Sequence, residues 1–423
     1  MATKSINLAK EPTCIKVGLP GSKSLTNRAL IIAAMASGKT VLKNVLFSDD
    51  IDACLEALLM LGVKINVNRG ERIVTLVGAS GHGFVSDVTL NARDAGTVSR
   101  FLLPACSAME GKYKFIASQR MCQRPMDALL DVLVRQGVDI VYENQVGHLP
   151  LFVSSSGLSG GRYVIPGVKS SQFLSGLLIA SPYAKSPTML ISNVEHQQPY
   201  VMMTINVMRS FGVNVECVGN AYHIDNHQVY KGCNYTIEPD ISTATYFWAL
   251  AALTGGQVTV KNISFDSLQG DIQFLGLLAE MNCSVSETDE GICVTGSGVL
   301  KGVNANLRTF SDTFMTVAVL ACFADSKTHL TGLSHTRLQE SDRVECMAKG
   351  LRVLGAKIET SDDSITIFPS RMNAGVVDGC NDHRIAMSLA LVGVKVDGVK
   401  VKGAECVKKT CPDYFERMQN IIK

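Results

Sequence analysis

The decapeptide LLMLGVKINV, Leu58 to Val67, decides how the rest of the chain is read. An apolar helical run ends at Gly62 and an alternating strand follows at once. Glycine closes a helix in the left-handed conformation without a Cβ penalty, and the alternation after it marks a half-buried strand. The phrase returns as VLVRQGVDIV (Val132 to Val141), VMRSFGVNVEC (Val207 to Cys217), LLAEMNCSVS (Leu277 to Ser286) and LRVLGAKIET (Leu351 to Thr360). Its turn residues Gly62, Gly137, Gly212, Asn282 and Gly355 lie 75, 75, 70 and 73 residues apart. One such junction is commonplace; five at near-constant spacing point to duplication. A second phrase, helix then Gly-rich turn then strand, interleaves with the first, as in MASGKTVLKNV and LTGGQVTVKNI. Each unit then holds about two helices and four strands, too long for a solenoid repeat.

Six units account for the 423 residues, the last cut short at PDYFERMQNIIK. Three units per half predict an α/β chain of two similar lobes with a ligand cleft between them. The turn-rich stretches KVGLPGSKS and YKGCNYTIEPDIS (Tyr230 to Ser242) are the expected boundaries. The content is 46% hydrophobic and 18% charged, that of a globular protein with ample core. A net charge of +2 excludes a diffuse basic surface for nucleic acid. No run of about 18 uncharged apolar residues exists, so no membrane helix is expected. The amino terminus, MATKSINLAKEPT, lacks the apolar run of a signal peptide. The thirteen cysteines are odd in number and show no zinc spacing, which predicts reduced thiols, a cytoplasmic setting and no metal site.

Cations recur at segment boundaries beside small polar residues, the pattern of one anion site assembled by folding. PGSKSLTNR (Pro20 to Arg28) precedes the apolar stretch ALIIAAMAS, and Lys23, Ser24 and Arg28 can face an anion at a helix amino terminus. It is not a Walker A loop, because Ser22 stands where glycine must precede the lysine. A capped surface helix with solvated charges is the plainer reading of this segment. DAGTVSRFLLPA places Gly96 at a helix start where a ligand could approach the backbone. SQRMCQRPMDALL sets Arg120 and Arg124 before Pro125, a residue suited to a helix's first turn. Ser170, Ser171 and Gln172 open the apolar run FLSGLLIA; N-capping accounts for one serine but not for the trio. In the second half, Asp312 is a cap or a carboxylate aimed at ligand. Glu340, Asp342 and Arg343 crowd into four residues, and His383 and Arg384 head another apolar helix. Lone histidines are more often structural than catalytic.

These motifs, PGSKSLTNRAL, DAGTVSRFL, QRP, SSQFLSGLL, PDISTATYF, ESDR, NDHRIAM and KTCPDYF, resemble in order and nearly end to end the 5-enolpyruvylshikimate-3-phosphate synthase family of enolpyruvyl transferases. The related UDP-N-acetylglucosamine branch carries Ala-Lys-Asn where Ser22-Lys23-Ser24 stands here. The resemblance implies two lobes, each of three βαβαββ units, an inside-out α/β barrel-like fold. Residues 20–240 would form the lobe binding mainly shikimate 3-phosphate. Residues 1–19 and 241–423 would form the other, with acid/base and phosphoenolpyruvate-binding groups. It implies transfer of the enolpyruvyl group of phosphoenolpyruvate to the 5-hydroxyl of shikimate 3-phosphate, with no cofactor, no nucleic-acid or membrane partner, and a monomer. By resemblance, Lys23, Gly96, Arg124, Gln172, Arg343, Arg384 and Lys409 surround phosphoenolpyruvate. Ser24, Arg28, Ser170, Ser171, Gln172, Gln197 and Tyr200, with Asp312, His335, Gln339 and a bridging Lys23, hold shikimate 3-phosphate. The expected catalytic residues are Asp312, the base at the hydroxyl, Glu340, the proton donor and acceptor at the methylene, and Lys23.

Four positions depart from the family pattern: Gln339 where lysine is common, His335 for asparagine, Asp94 for asparagine and Gln197 for serine. Gln339 removes a positive charge, and Asp94 adds a negative one. A different hydroxyl acceptor, or a non-catalytic anion binder of the same architecture, are the competing expectations. Retention of Lys23, Asp312, Glu340, Arg343 and Arg384 argues against a mere binder.

Overall fold

The computed structural model describes residues 3–80, 83–165, 170–192 and 198–422. Two compact units divide the chain, residues 21–237 and residues 1–20 with 238–423. In the first, Val88–Asn91 runs parallel to Glu110–Ile116, which pairs antiparallel with Leu151–Ser156 and through it with Asp139–Tyr142. The same order recurs in Gly161–Ile165, Thr188–Ser192, Ala221–Ile224 and Glu216–Val218. A third sheet repeats it with Lys39–Lys43, Ile73–Val77 and Lys64–Asn68, but takes its parallel strand, Asn234–Thr236, from the far end of the unit.

The second unit builds its sheets by the same rule. Cys14–Val17 lies parallel to Gln257–Lys261, followed by Gly291–Thr295 and Ser284–Thr288. Asn304–Asn306, Thr328–Thr331, Ile365–Phe368 and Lys357–Thr360 form the next. The last pairs Gly375–Asp378 with Val399–Lys402 and is finished by the amino-terminal Thr3–Lys4. Sequence periodicity misses these closures, because a strand borrowed from a distant part of the chain carries no local signal.

The repeated turn has the backbone its residues imply. Gly62, Gly137, Gly212, Asn282 and Gly355 sit at φ of 83°, 92°, 86°, 75° and 96°, each ending a helix and feeding a strand. The helices of the second phrase are apolar on all sides and therefore buried. They are Lys23–Met35, Gly96–Ser107 and Ser171–Ala180 in the first unit. In the second unit they are Ile241–Thr254, Phe314–Cys322 and His383–Ala390. Every residue from Leu25 to Met35 and from Ile241 to Leu253 is buried. Close backbone packing is required: a Cβ on Gly176 would collide with the carbonyl of Arg100 on the neighbouring helix. Polar residues on these helices gather at their amino ends, where free N–H groups need acceptors.

Three local expectations shift. Pro125 stands ahead of its helix, which begins at Asp127. Asp312 is no cap; it lies in the one-turn segment Ser311–Thr313. Glu340 sits in the turn before Arg343–Val353, whose cap is Asp342, accepting from Glu345 N at 3.0 Å. Among the described residues, no helix is long and apolar enough to cross a membrane.

Candidate active site

In the unit of residues 21–237, four helices bring the expected residues together. Lys23 opens its helix and pairs with Asp50 at 3.2 Å, both largely buried. One turn on, the Arg28 guanidinium is enclosed: Nε donates to Thr204 Oγ1 at 2.7 Å, Nη1 to Ser24 O at 2.9 Å and Nη2 to Tyr200 O at 3.3 Å. Its plane lies 5.1 Å from the centre of the Phe101 ring. Burial pulls the Arg28 pKa down to about 10, partly opposed by Tyr200. Arg28 is thus a fixed, desolvated cation whose remaining hydrogen-bonding capacity is directional.

Arg100, on the next helix, donates from Nη1 to Gln172 Oε1 at 2.8 Å and to Ser170 Oγ at 3.5 Å. Burial, and then the charge of Arg124, depress its pKa. Ser170 also caps the helix Ser171–Ala180 through Gln172 N, as the plain capping reading expected. Gly96 is needed for space: a Cβ there would stand 2.7 Å from Arg124 Nη1 and 3.5 Å from Arg100 Nη1. Asp94 turns to Ser118, accepting a short hydrogen bond from its hydroxyl. Ser171 opens the same helix as Gln172; Gln197 lies outside the described residues.

The other unit holds a denser ionic cluster. Arg343, 3% exposed, donates from Nε to Asp382 Oδ2 and from Nη1 to Asp312 Oδ1, both at 2.8 Å. Asp312 Oδ2 pairs with Arg384 Nη2 at 2.9 Å. Glu340 is gripped at both oxygens, by Lys409 Nζ at 2.8 Å and by His383 Nδ1 at 3.0 Å. Asp382 accepts also from Ser341 Oγ and from Arg384 N, each at 3.0 Å, capping the helix His383–Ala390. Burial works against charge at Arg343, but Asp382, Asp312 and Glu340 outweigh it and raise its pKa. Burial opposes ionisation of Asp382 too, yet Arg343 holds its carboxyl below the usual range. Donor atoms of Glu340, Asp382 and His383 lie within 4.8 Å of one another, a spacing that could take a cation. Lys409 and Arg343 already neutralise those carboxylates, so charge balance calls for none.

Two departures find partners. Gln339 Oε1 accepts a short hydrogen bond from Arg343 Nη1, four residues on in sequence. His335 Nε2 meets Ser311 Oγ at 2.8 Å, and burial lowers its pKa despite nearby Asp312. Behind the cluster, Asp271 is buried and accepts a short hydrogen bond from Ser242. Burial, then the charge of Asp312, pushes its carboxyl up to about 7.

A family model for EPSP synthase (3-phosphoshikimate 1-carboxyvinyltransferase) matches residues 11–418. The chain belongs to the EPSP synthase family. It is 36% identical over 425 residues to the 3-phosphoshikimate 1-carboxyvinyltransferase of Nostoc punctiforme, with 100% of both chains covered. It is 39% identical over 411 residues to 3-phosphoshikimate 1-carboxyvinyltransferase 2 of Halalkalibacterium halodurans, covering 96% of this chain and 91% of that one. The EPSP synthase structure from Acinetobacter baumannii matches with a TM-score of 0.86 at 26% identity, over 100% of this chain and 98% of that one. Within the EPSP synthase frame, sequence reading passed over Arg100, Asp50, Asp382 and Asp271 as site residues. An arginine inside the run SRFLLPA and an aspartate before HR were visible signals. Asp50 and Asp271 carried none, since their partners are distant in sequence.

Proposed function

We propose that the chain is a 3-phosphoshikimate 1-carboxyvinyltransferase. It transfers the enolpyruvyl group of phosphoenolpyruvate to the 5-hydroxyl of shikimate 3-phosphate and releases inorganic phosphate. The observation that carries this reading, in a chain of this family, is a pair of carboxylates held by separate cations. Asp312 is set between Arg343 and Arg384, Glu340 between Lys409 and His383. The reaction needs two such groups. One takes the proton of the attacking hydroxyl; the other delivers a proton to the methylene carbon and later removes one.

Asp312 is the base and Glu340 the methylene acid. Glu340 protonates the methylene as the hydroxyl oxygen, losing its proton to Asp312, bonds to C2 and forms a tetrahedral ketal phosphate. The roles then reverse: Glu340 withdraws a methyl proton and the C–O bond to phosphate breaks with its electrons. Anionic groups of phosphoenolpyruvate compete with Asp312 for Arg343 and Arg384, which loosens the carboxylate when it must act. Lys409, Arg124, Gly96 and Gln172 complete the phosphoenolpyruvate contacts. Lys23 bridges, while Ser24, Arg28, Ser170, Ser171, Gln172, Gln197 and Tyr200 hold shikimate 3-phosphate, joined by Asp312, His335 and Gln339. Two anions must share one site, so fixed cations supply most of the binding and orientation.

The unit of residues 21–237 serves mainly shikimate 3-phosphate, and the other unit supplies the acid/base groups. We assign the enzyme to the cytoplasm as a monomer needing no metal; its free cysteines fit a reducing compartment. The test is phosphate release from phosphoenolpyruvate with and without shikimate 3-phosphate. Release should depend on shikimate 3-phosphate and persist in EDTA. Release that ignores it, or that only another hydroxyl compound elicits, contradicts the reading.

A further inference from the structure

Gln339 and Glu340 lie on residues 332–342, which join the strand Thr328–Thr331 to the helix Arg343–Val353. Within that stretch only the short turn Ser334–Leu338 is regular, so its own backbone does little to fix where Glu340 stands. Lys409 and His383 grip the carboxylate itself. A proton donor must also be held by the chain that carries it. Two side chains supply that hold, Arg337 and Asp363, and neither is among the proposed substrate contacts.

Arg337 donates at all three guanidinium nitrogens. Nη1 reaches both oxygens of Asp342, at 3.0 and 2.8 Å. Nε donates to Asp362 O at 3.0 Å and Nη2 to Ser361 O at 2.5 Å. Asp342 caps the helix Arg343–Val353, and residues 361–364 turn between the strands Lys357–Thr360 and Ile365–Phe368. The same turn meets the start of the stretch. The Asp363 carboxylate accepts from Gly332 N at 3.1 Å and Ser334 N at 2.9 Å, and its carbonyl accepts from Leu333 N at 3.0 Å. Ser361 N on Ser364 O, also at 3.0 Å, closes the turn. Gln339 and Glu340 are thus a short span between two anchored residues, Arg337 and Asp342.

We propose that Arg337 is a positioning residue for Glu340: its guanidinium joins Asp342 to the turn at residues 361–364 and so holds the carboxylate where the methylene carbon is protonated. The inference rests on the reading of Glu340 as the methylene acid. A lone exposed ion pair would not do this, because it contributes little and tolerates many geometries. The Arg337 side chain is only 22% exposed, and its planar fork is engaged along two directions. The Nε and Nη2 edge takes two carbonyls while Nη1 takes the carboxylate. A lysine ammonium supplies the charge without that plane. Misplacing a reacting group by about 1 Å costs about 100-fold in rate, so a slack span at Glu340 should be felt in turnover.

The test compares the whole protein with Arg337→Ala, Glu340→Ala and the double variant, by single-turnover rate and its dependence on phosphoenolpyruvate at saturating shikimate 3-phosphate. Arg337→Ala should turn over about tenfold or more slower. Its half-saturating phosphoenolpyruvate concentration should stay near the parent's, since Arg343 and Arg384 keep Asp312 as their partner. In the Glu340→Ala background the same substitution should cost almost nothing, because no carboxylate is left to place. Arg337→Lys should recover only part of the loss. Undiminished turnover in Arg337→Ala, an equal loss with and without Glu340, a loss confined to phosphoenolpyruvate affinity, or full recovery with lysine would each overturn the proposal. If Arg337→Ala does not fold, Arg337→Lys and its double variant with Glu340→Ala decide by the same comparison. Glu340→Ala alone separates the two readings. Normal turnover there means the acid is misassigned and the proposal falls with it; slow turnover leaves the Arg337 variants to judge the proposal by itself.

Discussion

Replacing Asp382 by alanine should destabilise the unit of residues 1–20 and 238–423 by about 3–5 kcal/mol, the range for breaking a buried ion pair. Asp382 is fully buried and binds Arg343 at 2.8 Å, Ser341 at 3.0 Å and Arg384 N at 3.0 Å. Loss of the cap accounts for about 1 kcal/mol. The remainder, about 2–4 kcal/mol, is the cost of leaving Arg343 buried with Asp312 as its remaining carboxylate. That remainder should vanish when Arg343 is also replaced, because no stranded cation is left. The double variant Arg343→Met with Asp382→Ala should therefore be more stable than the sum of the single losses by that amount. Urea unfolding followed by fluorescence suits the measurement. The single tryptophan, Trp248, is buried in this unit with Nε1 on Ile292 O at 3.2 Å. It reports this unit even if the other unfolds separately. Additive losses, with a coupling below about 0.5 kcal/mol, would refute the reasoning.

Asp271→Asn keeps an acceptor for Ser242 and removes a titration. A carboxyl raised to about 7 when folded, against about 3.9 unfolded, contributes stability in full below the unfolded value and loses it as pH rises to the folded one. The asparagine variant should thus gain on the parent by up to about 1.4 kcal/mol per pH unit between pH 5.5 and 7, then level off; a difference independent of pH would rule this out. Gln339→Lys exchanges the acceptor on Arg343 for a like charge, so the urea midpoint should fall, by about 1 kcal/mol in stability. An unchanged midpoint with about fivefold tighter shikimate 3-phosphate binding would instead restore the simple loss-of-charge view. Gly96→Ala puts a methyl 2.7 Å from Arg124 Nη1. The KM for phosphoenolpyruvate should rise about tenfold or more while shikimate 3-phosphate affinity holds; equal KM values would remove Arg124 from that role.

What the sequence disclosed follows the range of the forces involved. The five left-handed turn residues were legible because a helix end and the strand after it are local chemistry, and each sits at positive φ. The polar amino ends of the buried helices were legible because Ser, Gly, Lys and Arg interrupt an apolar pattern there. Partnerships across the fold were not: nothing near Asp50 announces Lys23, and nothing near Asp271 announces Ser242. Gln339 shows the boundary case. Compared position by position it is a missing charge; the hydrogen bond it accepts from Arg343 depends on the turn before the helix Arg343–Val353, which no helical spacing announces. The expected start of a helix at Pro125 failed because Met126 takes the cap position instead.

The division of labour between Asp312 and Glu340 is tested most directly by single-turnover kinetics. Asp312→Ala and Glu340→Ala are mixed with phosphoenolpyruvate and shikimate 3-phosphate, and the latter's affinity is measured separately. Each variant should lose about 10²–10⁴-fold in the rate of turnover and keep shikimate 3-phosphate affinity within about one order of magnitude. Near-normal turnover in both would contradict the account, since the two carboxylates set among Arg343, Arg384, Lys409 and His383 would then move no proton.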